Sequence, residues 1–108
     1  MARKFKSLNL GKMIAHIVVI KLKADTPDDV KQLILEKLEK LKDTIGVIRR
    51  WEVGANIGAS SNPGDFVVNS SFDSLGDIQT FRAHPSHAAF KGFLKPYLEV
   101  SYTVDYKT

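Results

Sequence analysis

Four segments of the chain carry the two-residue periodicity of β-strands. Residues 15–23, AHIVVIKLK, are β-branched and apolar and alternate only at their end, which predicts a strand covered on one face and largely covered on the other. Residues 98–106, LEVSYTVDY, alternate strictly and predict a strand with one buried face. VIRRWEVG at 47–54 and DFVVNSSF at 65–72 predict the two remaining strands.

The period changes to that of a helix after the first strand. Thr26 is placed to cap a helix, Pro27 to occupy its first turn, and Asp28 and Asp29 to lie near its positive end. Apolar residues then recur at helical spacing, and the helix is expected to end before Gly46. These residues are Val30, Leu33, Ile34, Leu38 and Leu41.

A second helical segment is interrupted by proline. Asp73 or Ser74 is placed to cap a helix that runs to Arg82. His84 precedes Pro85, which disfavours helical geometry at the histidine but opens a further helix that ends near residue 96. The predicted order is therefore βαββαβ with a broken second helix.

This order predicts a ferredoxin-like α+β fold, in which both helical segments cover one face of a four-stranded antiparallel sheet. The other face would then be bare, although apolar side chains point to both faces of the first and third strands. Ile17, Val19 and Val67 cannot share a face with Val18, Ile20, Phe66 and Val68. We therefore predict a homodimer whose two sheets pack face to face, forming a dimeric α+β barrel.

Length and charge narrow the class of protein. The 108 residues predict one domain, and the 44% hydrophobic and 26% charged residues indicate a folded chain. Residues 1–12 contain four basic and no acidic residues, which leaves twelve of each sign in 13–108 despite the net charge of +4. We therefore interpret 1–12 as a basic extension, disordered or left over from cloning, and 13–108 as the domain. Equal numbers of acidic and basic residues in the domain do not indicate a nucleic-acid partner.

Two further features concern location and chemistry. No apolar run approaches the roughly 20 residues of a bilayer span, and no secretory signal is recognisable, so neither a membrane nor an extracellular location is indicated and a cytoplasmic one is expected. The chain has no cysteine, which excludes a disulfide, a thiolate nucleophile and a cysteine-ligated zinc.

The motifs resemble one known family. MIAHIVVIKLK, IGVIRRWEVGANIG, FDSLGDIQTFRAHPSHAAF and the closing VDY are similar to the stress-responsive α/β-barrel family, over Met13 to Lys107. The most specific features are the histidine before the first apolar strand, the F-[DE]-S helix cap and the HPxH segment. The resemblance implies a dimeric, ferredoxin-like protein. Most members have no established activity, and one branch closes aromatic rings of polyketides by aldol condensation without metal or organic cofactor.

In that branch the second histidine of HPxH is the catalytic base, which corresponds to His87. A tyrosine six residues earlier assists, and Phe81 stands there instead. The missing hydrogen-bond donor would then have to be the hydroxyl of Tyr97 or Tyr102, or a backbone group of the cavity. The first-strand histidine corresponds to His16, which would face the same cavity.

The candidate site is therefore a small apolar pocket between helices and sheet, with His87 as base and with His16, Phe66, Phe81, His84 and Phe90 in contact with the ligand. Three interpretations stay open. The protein binds a small apolar ligand in an unassigned role, it is a cofactor-free cyclase or lyase using His87, or it is a structural or stability-conferring protein without a ligand. The sequence does not favour a metal site from His16, His84 and His87, because Pro85 constrains His84 outside the helix. No cofactor is expected.

Overall fold

The computed structural model describes residues 13–108, so the predicted basic extension 1–12 lies outside the described residues. A short 3₁₀ turn at Lys95–Tyr97 precedes the last strand. The remaining elements, in chain order, are β1 Ile14–Leu22, α1 Asp28–Thr44, β2 Arg50–Ala55, β3 Phe66–Phe72, α2 Leu75–Ala83, α3 Pro85–Leu94 and β4 Leu98–Lys107.

The four strands form one antiparallel sheet in the order β2-β3-β1-β4, which confirms the ferredoxin-like prediction. Strand register aligns His16 with Ser70 on β3 and with Asp105 on β4, and Ser70 with Trp51 on β2. Because side chains alternate along a strand, these four residues lie on one sheet face. It is the helix-covered face, since the Trp51 indole N–H donates to the Leu38 carbonyl of α1 at 3.0 Å.

The core lies between that face and the three helices. Every element contributes to it, and α1 is attached by three residues at i, i+4 and i+7 spacing. Burial of large apolar side chains contributes on the order of 1.5–3 kcal/mol each, which makes this layer the main source of stability. Its most buried large members are Phe72, Ile34, Ile45 and Ile78.

Two predicted boundaries were wrong by a few residues. Helix α1 begins at Asp28 with Pro27 as its N-cap, because the Thr26 hydroxyl donates to the Lys23 carbonyl at 2.7 Å and serves the preceding turn. Strand β2 begins at Arg50 rather than at residue 47. Val47 and Ile48 are partly buried and pack against the core from the connection before the strand.

The break between α2 and α3 occurs at the predicted place. Ser74 caps α2, with its Oγ accepting from the Asp77 N–H at 3.1 Å. His84 has an extended backbone, with φ −66° and ψ 138°, as the residue before a proline requires. Pro85 then opens α3, and the His84 Nδ1 accepts from the Ser86 N–H at 3.0 Å. This change of direction places His87 in the first turn of α3.

The opposite sheet face exposes large apolar side chains, as the alternation in β1 and β3 predicted. They belong to three adjacent strands and form one patch. We call it the open face; its exposed members are Val19, Val67, Tyr102, Val104 and Tyr106. Within residues 13–108, none of the helices has the length and apolar character to cross a bilayer.

Candidate functional site

A cavity of about 220 Å³ lies between the sheet and the helices. All four strands contribute to its floor and the three helices form its roof, so the cavity is a gap within the core layer. Its apolar lining consists of Val18, Ile20, Leu38, Leu41, Trp51, Val68, Phe81, Phe90, Leu94 and Leu98. Its polar lining consists of His16, Arg82, His87, Lys91, Ser101 and Thr103.

His16 reaches the cavity from the centre of the sheet and is only 3% exposed. Its Nδ1 is hydrogen-bonded to Oδ1 of Asp105, the cross-strand neighbour on β4. A carboxylate accepts hydrogen bonds, so the Nδ1 carries the proton and the imidazole is held in one orientation. The Ser70 hydroxyl donates to the His16 carbonyl at 2.9 Å, which secures the backbone beneath it.

Phe81 separates the two imidazoles. Its ring centroid lies 4.5 Å from that of His87 and 5.9 Å from that of His16. Phe72 and Trp51 pack on the same ring at 5.3 and 5.8 Å, so Phe81 is fixed from several sides. The aromatic cluster keeps the histidines apart and surrounds them with apolar surface.

His87 projects from the first turn of α3 and is half-buried. Its Nδ1 lies 3.2 Å from the Arg82 carbonyl oxygen. A carbonyl only accepts, so the bonded tautomer has its proton on Nδ1 and its lone pair on Nε2. Burial lowers the pKa of His87; the hydrogen bond to Arg82 opposes this, and the positive charges of Lys91, His16 and Arg82 add to the lowering. The imidazole is therefore neutral at pH 7 and able to accept a proton.

Arg82 links the two histidines through different atoms. Its carbonyl bonds His87, and its Nη2 lies 3.7 Å from Oδ2 of Asp105, the carboxylate that orients His16. The guanidinium is half exposed, so the ion pair itself contributes little to stability. Arg82 instead helps to position the histidines, because a shift of this residue would move the hydrogen-bond partners of both imidazoles.

The structure brings four of the six predicted site residues together at the cavity, namely His16, Phe81, His87 and Phe90. Two others lie elsewhere. His84 caps α3 with its Nδ1, and Phe66 packs in the core at the far end of β3. Neither belongs to the cavity lining.

Neither tyrosine considered as a hydroxyl donor lines the cavity. Tyr97 packs against Phe93, with ring centroids 6.0 Å apart, and Tyr102 belongs to the open face. Across the described part of the chain, no cluster of three or more histidine, aspartate or glutamate side chains is arranged to hold a metal ion. His84 does not join His16 and His87.

Sequence reasoning missed the polar residues around the histidines. Lys91 lies four residues after His87 and therefore on the same face of α3, a signal that was available. Asp105 and Thr103 share a face of β4 by parity, but their position beside His16 depends on the β1–β4 register, which the sequence does not state.

These features define a class of protein: a ferredoxin-like α+β domain with a cavity between helices and sheet and an uncovered apolar sheet face. Residues 14–108 match the Stress responsive A/B Barrel Domain family, known as Dabb. The chain belongs to this family. Comparison with curated proteins finds no match.

Solved structures with the same fold include three informative cases. A dimeric protein of unknown function from Bacteroides fragilis is 34% identical, with a TM-score of 0.79 and coverage of 90% of this chain and 97% of that one. A dimeric ferredoxin-like protein of unknown function from Thermobifida fusca is 23% identical, with a TM-score of 0.81 and coverage of 97% and 100%. A hydroxynitrile lyase from Passiflora edulis is 19% identical, with a TM-score of 0.78 and coverage of 90% and 94%.

Proposed function

We propose that this protein is a homodimer whose cavity binds a small, mostly apolar carbonyl compound, and that His87 accepts a proton from the carbon next to the carbonyl. The observation that carries the proposal is the cavity itself, with a neutral imidazole in an apolar lining. No metal or organic cofactor takes part in this step.

The cavity volume sets the size of the ligand. A dry apolar cavity of about 150 Å³ binds benzene, so one of about 220 Å³ accommodates a single ring with a short polar substituent. Apolar walls from Leu38, Trp51 and Phe90 suit the ring, and the histidines supply the few polar contacts that orient it.

The hydrogen bonding of His87 supports its role as a base. The Arg82 carbonyl holds the Nδ1 proton, so the Nε2 lone pair is the position that accepts a proton from the ligand. The electrons of the broken C–H bond pass to the carbonyl oxygen and give an enolate, which then regains a proton at carbon. The protonated Nε2 exchanges its proton with solvent and then donates a proton, or a deuteron in D₂O, to the carbon, so the step is balanced without a redox partner.

A ring-closing aldol reaction of the cyclase type is less well supported. Phe81 has no hydroxyl where that branch of the family has tyrosine, and neither Tyr97 nor Tyr102 lines the cavity. Proton abstraction alone requires only the base and a polarising donor. A purely structural protein would be expected to fill the space around His87 with side chains, and the open cavity argues against that interpretation.

The homodimer is supported by the open face and by the relatives. Five large apolar side chains are exposed on one continuous patch, which is unusual for a stable monomer. The 34% identical structure from Bacteroides fragilis is described as dimeric. A twofold pairing of open faces would bury Val104 and Tyr102 of both copies.

The test is deuterium exchange of acetophenone, a single ring with a methyl ketone. We expect the protein in D₂O to accelerate loss of the methyl proton signal, followed by NMR. His87→Gln keeps a donor for the Arg82 carbonyl but has no basic nitrogen, so the acceleration should fall by about 100-fold or more. The cavity amide resonances of both proteins should still shift on addition of acetophenone.

The matched control is His84→Asn, which removes the neighbouring imidazole and keeps a good helix cap. It should exchange acetophenone at the wild-type rate. A wild-type protein that leaves the exchange rate and the cavity resonances unchanged would refute ligand binding. A His87→Gln variant as fast as wild type would refute the role of His87 alone.

A further inference from the structure

The polar part of the cavity lining carries an excess of positive charge. Arg82 and Lys91 belong to the lining, and within residues 13–108 the lining includes no carboxylate. Asp105 is bonded to His16 and lies 3.7 Å from Arg82, so its charge is already shared between two partners. The cavity therefore has a cationic side whose charge the lining residues among 13–108 do not neutralise.

Lys91 is the source of the excess. It lies one helical turn after His87 on α3, and its charge is close enough to act on the imidazole. Among the described residues its ammonium makes no ion pair or hydrogen bond, in contrast to Lys21, which pairs with Glu99 at 3.5 Å. A cation that has no ion-pair partner and lies beside an apolar cavity is suited to bind an anionic group of a ligand.

The exposed hydroxyls of Ser101 and Thr103 indicate where the anion would lie. Both point to the helix side of β4, the edge strand, and remain exposed there, so the cavity opens along this edge. Lys91 is exposed as well. A ligand can place its ring inside and leave its charged end in this wetter part of the cavity, which avoids the cost of burying a charge.

We propose that the ligand is a monoanionic carboxylic acid, with an apolar body in the cavity and its carboxylate held by Lys91 at the β4 edge. Within residues 13–108, Lys91 is the one lysine or arginine of the cavity lining without an ion-pair partner, because Arg82 already pairs with Asp105, and it therefore matches a single negative charge on the ligand. The inference rests on the proposed function, since it names the class of compound that the same cavity binds.

The test compares two probes of equal size, phenylacetate and phenylacetamide, by NMR titration at low ionic strength. We expect phenylacetate to bind about three- to fivefold more tightly than the amide, as an exposed ion pair allows. Raising the salt to about 0.5 M should weaken phenylacetate binding and leave amide binding unchanged. Lys91→Met, which keeps an unbranched chain, should reduce phenylacetate affinity to that of the amide.

The matched control is Lys40→Met, because Lys40 is likewise an exposed lysine but lies on α1 outside the cavity lining. It should leave both affinities at the wild-type values. Equal binding of the two probes, or an equal loss of both in Lys91→Met, would overturn the carboxylate assignment while leaving the proposed cavity function intact. Absence of binding by both probes, together with inactivity towards acetophenone, would overturn the two proposals together.

Discussion

Removing the charge of Asp105 should destabilise the protein more than removing the charge of an exposed aspartate. Asp105→Asn retains an oxygen that accepts from the His16 Nδ1, so hydrogen-bond geometry is kept and only the charge is lost. The comparison is Asp73→Asn, since Asp73 pairs with Arg49 at 3.0 Å on the surface. Both substitutions change one carboxylate to an amide of the same shape.

The expected magnitudes follow from burial. The His16 side chain is 4% exposed and that of Asp105 is 24% exposed, whereas Arg49 and Asp73 are 48% and 51% exposed. A hydrogen bond to a charged group contributes about 1.5–3 kcal/mol and a neutral one about 0.5–1.5 kcal/mol, so Asp105→Asn should cost about 1–1.5 kcal/mol. Asp73→Asn, which removes the charge from the exposed pair, should lower the free energy of unfolding by about 0–0.5 kcal/mol.

Urea denaturation at one fixed protein concentration measures both losses, since the proposed dimerisation would make stability depend on protein concentration. With a slope of about 1.5 kcal/mol per M, the midpoint should fall by about 0.7–1 M for Asp105→Asn and by about 0.3 M or less for Asp73→Asn. Equal shifts for the two variants would refute the reasoning, because the buried imidazole would then gain nothing from a charged partner.

Two further predictions concern His87 and the open face. The pKa of His87 is lowered on folding, so its contribution to the free energy of unfolding should be fully present above the unfolded pKa of about 6.5 and should decrease as the pH falls below that value. The substitution His87→Gln should remove this decrease, whereas His84→Asn should not. A pH dependence unchanged in His87→Gln would contradict the assignment. Val104→Asp should convert the proposed dimer to a monomer in sedimentation. The control is Leu75→Asp, because Leu75 is 60% exposed and Val104 is 58% exposed but Leu75 lies outside the open face; this variant should remain dimeric. A dimeric Val104→Asp protein would place the interface elsewhere.

The fold was predictable because each element has a local signal. Alternation in β1 and β3 predicted apolar side chains on both faces of the sheet, and Pro85 predicted the break that starts α3. The boundary error at Thr26 arose because its hydroxyl bonds the Lys23 carbonyl three residues earlier, which is a local alternative to capping the helix. The error at the start of β2 arose because Val47 and Ile48 make tertiary contacts with the core. Such contacts are made with residues distant in the chain and leave no local pattern.

Part of the candidate site was predictable on the same terms. The family resemblance at the HPxH segment suggested His87 and Phe81, which line the cavity, whereas Phe66 and His84 were also proposed as site residues but lie outside the cavity lining. His84 shows why: its Nδ1 satisfies the Ser86 N–H that opens α3, a local role that the same sequence signal equally allows.

The sequence by itself determined the order of strands and helices, the break at Pro85 and the apolar character of both sheet faces, because these depend on residues close together in the chain. Only the tertiary structure decided that Asp105 meets His16, that the Arg82 carbonyl holds the His87 proton and that Lys91 lies beside the cavity without an ion-pair partner among residues 13–108. Those relations depend on strand register and on how the helices sit over the sheet, which are set by packing of the whole core.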